Sequence, residues 1–465
     1  MPGKILVDIT PLRESRDFRL LFTGQLISML GSQLTVVAIP YQVYGLTHSS
    51  LQVGAISLAQ LLPFIAGALL AGPLGDTLDR RQIMLSTAAA LALTSAALAA
   101  NAAVHHPSLL ALYLISSLAA VFNGFSNTAR MASVPGLVER RQISAAAAMM
   151  QVTFQVGTVV GPALSGLLLG LGLPLVYGID AGTFLVTIVA TSMMIPIPPA
   201  EGPTLNPWES AKEGLRFLRS RQALQGVYII DINAMVFGMP RALFPAMAGS
   251  VFGGGTITLG FLYAAPGVGA LIGAVATGWV AHLKRQGRAV ILAVVAWGAA
   301  IAVFGGGTIT LGFLYAAPGV GALIGAVATG WVAHLKRQGR AVILAVVAWG
   351  AAIAVFGLVH TLWVALVMLA IAGWADVISA VLRNTILQTS IPDRFRSRMS
   401  SIQMAVVQGG PRLGDMESGG VATATSIEFS VVSGGLACIV GAVVIGLVMP
   451  HFRHHHSGEI DEVPV

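Results

Sequence analysis

Asp180, Asp231, Arg241, Asp376, Arg412, Asp415 and Glu417 stand in stretches that are otherwise apolar. An ionised group surrounded by hydrocarbon is costly, so each must pair, take up a proton or face a ligand. Asp231 and Arg241 share one stretch, but ten residues of helix set them about 15 Å apart, too far for direct neutralisation. Arg241 therefore either meets an anion or snorkels to water at the outer interface. Arg412 and Asp415 are three residues apart and share a helix face. Either they form a local neutral pair, or Asp415 or Glu417 carries a proton, with Arg412 stabilising the charged carboxylate until a ligand arrives. Asp376 is a further candidate, and Asp180, which follows Gly178 near an outer turn, reads as a helix cap. Gln25, Gln33, Gln42, Gln60, Asn123 and Asn127 either line a polar path or hydrogen-bond between helices.

Other chemistry is poorly supplied. The single cysteine, Cys438, rules out an internal disulfide and a thiolate cluster. Gly267 to Gly273 has the wrong spacing for a dinucleotide fingerprint, and Gly253-Gly254-Gly255 lacks the Gly-Lys-Ser/Thr of a phosphate loop. No nucleophile–base constellation is visible. No metal, no cofactor and no enzymatic activity are expected, and His451 with His454 to His456 reads as part of a solvated tail.

The elements that must hold these groups are membrane helices. The chain has 465 residues, 55% hydrophobic and 10% charged, against about 25% charged in soluble domains; mean hydropathy is +0.82. Too little polar surface exists to cover a globule of this size in water, so most of the solvent is lipid. Charge-free stretches run from Leu20 to Gly75, Gln82 to Ala129, and Ile143 to Ile197 apart from Asp180. Each is long enough for two spans of about 20 residues. Their turns fall at Gly45 to Ser50, His105-His106-Pro107, and Leu169 to Pro174. Charges collect between hairpins: Asp76 to Arg81, Arg130 to Arg141, Glu201 to Arg221, His282 to Arg288, His334 to Arg340, Arg383 to Arg398, and the C-terminal tail. Of 26 Lys and Arg, only Arg241 and Arg412 are assigned to spans, leaving 26 − 2 = 24 outside. By the positive-inside rule both termini face the cytoplasm. The net charge of +7 is a topology signal and not a nucleic-acid surface. No cleavable signal peptide is expected.

Two repeats organise the chain. Asn127 to Pro135 resembles Asn384 to Pro392, an offset of 384 − 127 = 257 that also pairs Arg141 with Arg398, Gln151 with Gln408 and Gly157 with Gly414. Parallel repeats of this kind imply two six-helix halves. The second repeat is identical: residues 251–302 recur unchanged as 303–354. Its 52-residue unit encodes a span, a basic loop and a span, which predicts 14 spans for the chain and 12 for the 465 − 52 = 413 residues without it. A recent in-frame duplication or a sequence-assembly error produces such identity. The expected organisation is an N-terminal bundle (1–196), a cytoplasmic linker (197–225), a C-terminal bundle (226–450) holding both copies, and a cytoplasmic tail (451–465). Within the linker, Trp208 to Leu218 reads as an amphipathic helix that is either solvated or laid on headgroups through Trp208, Leu215 and Leu218.

Gly72-Pro73-Leu74-Gly75-Asp76-Thr77-Leu78-Asp79-Arg80-Arg81 resembles the loop 2–3 signature of major facilitator transporters: a Gly, an Asp four residues on, and a basic pair four residues beyond. Asp79 replaces the family's usual Gly and Thr77 its Arg. Gly72 would allow close helix approach; Asp76 would sit at a helix N-terminus, with Arg80 and Arg81 holding the loop in the cytoplasm and within reach of Asp76. Gly157, Gly161, Pro162 and Gly166 resemble the fifth-span Gly-Pro motif of proton-coupled exporters, and equally suit a packing face bent at the proline. Thr47 to Gly54, Pro107 to Leu114, Pro240 to Ala246, Gly260 to Ala265 and Leu387-Gln388-Thr389 carry a resemblance over almost the whole chain to the enterobactin (catecholate siderophore) exporter subgroup. That resemblance implies an all-α major facilitator fold, proton-driven alternating access, a small-molecule substrate, and a monomer in the bacterial inner membrane. Gln25, Gln33, Asn123, Asn127, Asp231 and Arg241 would line the substrate path, Arg241 meeting an iron-free catecholate. Arg412, Asp415 and Glu417 would serve proton coupling, because Leu30-Gly31-Ser32-Gln33 lacks the first-span Asp of many related exporters. A broad multidrug exporter and a chain inactivated by its extra hairpin are the alternatives.

Overall fold

The computed structural model describes residues 9–75, 78–197, 207–280, 337–392 and 395–454. Among them the regular structure is helical, with no β-strand. The first run of helices is α1 (Thr10–Glu14), α2 (Arg16–Thr47), α3 (Ser50–Ala59), α4 (Leu61–Gly75), α5 (Arg80–Ala103), α6 (Leu109–Leu137), α7 (Ile143–Leu169) and α8 (Leu173–Ser192). After α9 (Pro207–Arg219) come α10 (Gln222–Phe237), the single turn α11 (Phe244–Ala246), α12 (Gly255–Val280), α13 (Gln338–Leu358), α14 (Leu362–Ser390), α15 (Arg396–Ala424), α16 (Ile427–Val448) and α17 (Pro450–Arg453). Ten helical segments among the described residues are long and apolar enough to cross a bilayer. Leu62, Leu93 and Leu110 are at least 70% exposed, the outward apolar surface that lipid requires and water penalises.

The helices start where the sequence offers a cap. Ser15, Ser49, Asp79, Ser108 and Ser426 each accept a hydrogen bond from a backbone N–H two or three residues on, satisfying donors that lipid cannot. The first hairpin turn is tighter than expected. α2 runs on to Thr47, and His48 takes a left-handed φ of 48° while its N–H bonds Tyr44 O, closing the helix in the manner usually left to glycine.

The chain forms two compact units, Met1–Pro207 with Gly253–Ala264, and Trp208–Phe252 with Ala265–Val465. In the first, α2 packs on α7 and α8, α5 on α6 and α8, and α4 on α6. The α4–α6 crossing is glycine-to-backbone: a Cβ on Gly67 would meet the Val121 carbonyl, and one on Gly124 the Phe64 carbonyl. Lipid tails are as apolar as leucine, so close van der Waals approach replaces the hydrophobic drive here. In the second unit α13 packs on α14 and α16, and α10 on α15 and α16. Gly350 and Gly435 repeat the device, each with its Cβ position within 2.7 Å of the other's carbonyl oxygen. α10 stops at Gly238, and Trp349 Nε1 donates to the Gly238 carbonyl at 3.0 Å.

The fourteen-span expectation falls largely on residues 281–336, which lie outside the described residues. The described parts of the identical repeat are 251–280 and 337–354, the latter equivalent to 285–302 of the first copy because 337 − 52 = 285. Together they supply nearly one unit, its first helix from copy one and its second from copy two.

Two further segments are held by aromatic side chains. The linker helix α9 is held by Phe217, whose ring stacks on Phe395 with centroids 4.4 Å apart, while Leu215 stays exposed; the Trp208 side chain lies outside the described ones. His451 and His454 are exposed, as read for a solvated tail, but Phe452 of α17 is fully buried against Gly226 and Gly339, and His451 contacts Gln222.

Candidate functional site

Arginines that the charge pattern assigned to cytoplasmic loops instead lie inside helices. Arg383 is in α14 and Arg130 in α6, both within helices long and apolar enough to cross a bilayer, so the assignment of Arg241 and Arg412 alone to spans is corrected. Cutting each span at the first arginine truncated both helices, which run on to Ser390 and Leu137.

In the second unit Arg383 Nη2 lies 2.9 Å from Asp231 Oδ1 on α10 and 3.6 Å from Asp376 Oδ1, two turns earlier on the same face of α14. Its Nη1 donates to Ser379 Oγ at 2.9 Å. The Arg383 and Asp231 side chains are 5% and 4% exposed, Asp376 30%. Two carboxylates thus face one guanidinium, and with all three ionised the cluster keeps one uncompensated negative charge. Asp231, selected by sequence as a path residue, finds its partner here and not in Arg241.

Arg241 falls beyond the break after α10, in a 3-10 turn Arg241–Leu243 that packs on α15. Arg412 of α15 interacts electrostatically with both Arg241 and Asp415, so three sequence-selected residues, from one helix and one 3-10 turn, come together. The sign of this group is opposite: two guanidinia and one carboxylate. Glu417 is half-buried nearby on the same helix, with no ion pair among the described residues.

In the first unit Arg130 Nη1 donates to Gln25 Oε1 at 2.8 Å and Nη2 to Asn127 Oδ1 at 2.7 Å. Gln25 and Asn127 therefore meet through a cation the sequence reading passed over. Its partners are neutral, so its charge is uncompensated among the described residues. Asn123 is not part of this group; it is exposed and donates to Ala119 O on its own helix. Gln33 packs its stem over Gly161, Met29 covers Gly157, and Gly166 meets Gly260 of α12. Gly157, Gly161 and Gly166 thus lie at close contacts of α7, which continues as helix through Pro162.

Asp180 does not cap α8, whose N-cap is Gly172. It is 2% exposed and accepts hydrogen bonds from Thr35 Oγ1 at 2.6 Å and Ser95 Oγ at 2.8 Å, tying α2, α5 and α8 together. In the loop 2–3 segment Asp76 lies outside the described residues, and Gly72 sits in α4. Arg81 donates to the carbonyls of Thr191 and Ser192 at the end of α8, where a cation suits the helix dipole. The Arg80 N–H bonds Ile197 O at 3.0 Å. Asp79, the departure from the family pattern, caps α5 through Arg81 N and also accepts from Ile197 N at 3.0 Å. Asp-Arg-Arg before an apolar run is a cap signal that was available in the sequence.

Two units of long apolar helices with charged side chains paired between them define a polytopic membrane protein. The Major Facilitator Superfamily profile matches residues 21–315, and that of the Transmembrane secretion effector family residues 300–462; the chain belongs to the Major Facilitator Superfamily. It is 28% identical to the enterobactin exporter EntS of Escherichia coli strain K12 over 451 residues, 97% of this chain and 95% of that protein. The same exporter of Citrobacter koseri is 28% identical over 447 residues, 96% of this chain and 93% of that protein. Among solved structures, the nucleoside transporter NupG superposes with a TM-score of 0.64 at 13% identity, covering 93% of this chain and 99% of that one. A bacterial homologue of the lysosomal transporter Spinster gives 0.61 at 13% identity, covering 94% and 95%. The chain is a multi-pass membrane transporter, and its relatives are transporters and not enzymes.

Proposed function

We propose that this protein is a proton-coupled exporter of an anionic, catecholate-type siderophore, working by alternating access as a single chain in the bacterial inner membrane with both termini cytoplasmic. The observation that carries the coupling is the Asp231–Arg383–Asp376 cluster. One guanidinium cannot neutralise two carboxylates, and a residual charge in a low-dielectric bundle favours uptake of a proton. Asp415 and Glu417, beside Arg412, are the second place where the coupling proton can reside. The substrate class is supported by the full-length likeness to enterobactin exporters and by the uncompensated guanidinium of Arg130, with Arg241 and Arg412 as further cations for an anion leaving the cell. Gln25, Gln33, Asn123 and Asn127 are the proposed neutral lining, and lipid is the other partner.

The test is secretion of catecholate by an export-deficient bacterium carrying the 465-residue chain, Arg130→Gln, or Asp376→Asn. Rescue by the parent chain and loss in both variants, at equal membrane abundance, is the expected result. Absence of rescue by the parent and by a 413-residue form would sink the siderophore assignment; secretion of unrelated lipophilic cations instead would favour a multidrug exporter.

A further inference from the structure

The ends of α13 and α16 that meet α17 enclose a groove of about 300 Å³ lined by Arg340, Ile343, Leu344, Val443, Gly446, Leu447 and Arg453. We propose that it holds one anionic glycerophospholipid, with the phosphate between Arg340 and Arg453 and an acyl chain along the apolar wall.

The groove has the two-part chemistry of a lipid. Its wall is aliphatic, and Leu344 and Leu447 are 68% and 67% exposed, so it opens onto the hydrocarbon and not into the bundle. Its floor is set by Gly446, where a Cβ would stand 2.9 Å from Ile343 Cδ1; the missing side chain brings the two helices close and leaves a furrow outside them. Its rim carries two half-buried guanidinia without a carboxylate partner among the described residues. Among the described residues Arg340 meets the His454 ring, at 3.4 Å from Nη2, and its Nε has no hydrogen-bond partner there.

Helix ends and α17 fix both cations. Arg340 lies in the first turn of α13, two residues after Gln338, where the helix dipole offers a cation nothing. Arg453 ends α17, which is pinned by the buried Phe452. A guanidinium fork matches phosphate oxygens and is weakly hydrated, so it suits a phosphodiester at the membrane boundary better than bulk water. Basic pockets between transmembrane helices on the cytoplasmic side recur as sites for anionic headgroups. A zwitterionic lipid presents the same phosphate but brings its own cation towards the two arginines, which sets the selectivity.

The experiment uses the full chain in detergent. Phosphatidylglycerol, phosphatidylcholine of the same acyl composition, and inorganic phosphate are added separately, and bound lipid is counted by native mass spectrometry beside the melting temperature. The parent chain should retain phosphatidylglycerol at least about tenfold better than phosphatidylcholine, and Arg340→Gln/Arg453→Gln should abolish that preference. If the double variant fails to fold, Arg453→Gln alone is read, with a smaller loss expected. Equal retention of the two lipids by the parent, unchanged retention by the variant, or an equal melting shift from phosphate alone would overturn the proposal.

Discussion

Arg383 and Asp231 are 383 − 231 = 152 residues apart in sequence and meet at 2.9 Å with side chains 5% and 4% exposed. Removing one partner of a buried ion pair typically costs about 3–5 kcal/mol, because the other charge is stranded. Asp376 modifies that expectation. Asp231→Asn leaves the guanidinium a second carboxylate, whereas Arg383→Gln leaves two carboxylates with no cation. Arg383→Gln should therefore unfold at the lower temperature in detergent, and the double variant should be less destabilised than the sum of the singles. Strict additivity would show that the two groups do not act as a pair.

Gly124 and Gly45 give a matched contrast in helix packing. A methyl at Gly124 drives into the backbone of α4, while Gly45 has nothing within 4 Å of its Cβ position. Gly124→Ala should destabilise the protein by roughly 1–3 kcal/mol through overpacking. Gly45→Ala should be neutral or slightly stabilising. Thermal melts of the two purified variants decide it, and equal melting temperatures would contradict the close crossing.

Asp79 caps α5 and holds Ile197 N–H as well. Loss of the cap alone costs about 0.5–2 kcal/mol. Asp79→Ala should lie at or above the upper end because a second backbone donor is orphaned, and Asp79→Asn should recover most of the loss. Hydrogen exchange at the start of α5 and at Ile197 would rise together in Asp79→Ala; a rise at only one of them would separate the two roles.

Asp180 accepts from two hydroxyls on two other helices. Asp180→Ala orphans Thr35 and Ser95, a penalty of about 1–3 kcal/mol for buried groups. The triple variant Asp180→Ala/Thr35→Val/Ser95→Ala should recover part of that stability. A triple variant less stable than Asp180→Ala would argue that the hydroxyls serve some other partner.

Removing residues 285–336 or 303–354 yields the same 413-residue sequence, and it joins Val280 to Arg337 through Ala-His-Leu-Lys. Every described helix survives that deletion. The 413-residue form should therefore insert and melt like the parent, within a few degrees, and keep the protease-resistant fragments of α2 to α8. A form that no longer inserts would mean that the extra unit is part of the folded bundle.

Much of the fold was legible because lipid imposes a simple pattern. The charge-free stretches marked hairpins, and the 257-residue offset marked two related halves. The same rule hid Arg130 and Arg383. A window that stops at charge cannot distinguish an arginine at a helix end in water from one a few residues earlier, folded back between helices. Asp180 was misread for a related reason, since a carboxylate near an outer turn caps a helix only if the helix starts there, and α8 starts at Leu173.

Composition and patterning by themselves determined that this chain lives in lipid, spans it repeatedly, is built from two related halves and contains one unit twice, because burial in hydrocarbon constrains every residue along each span. Only the tertiary structure decided which charges face one another. Arg383 with Asp231 and Asp376, Arg130 with Gln25 and Asn127, and Arg412 with Arg241 and Asp415 each join separate segments of the chain, and a one-dimensional sequence does not encode directly the rotation and depth at which two such segments pack.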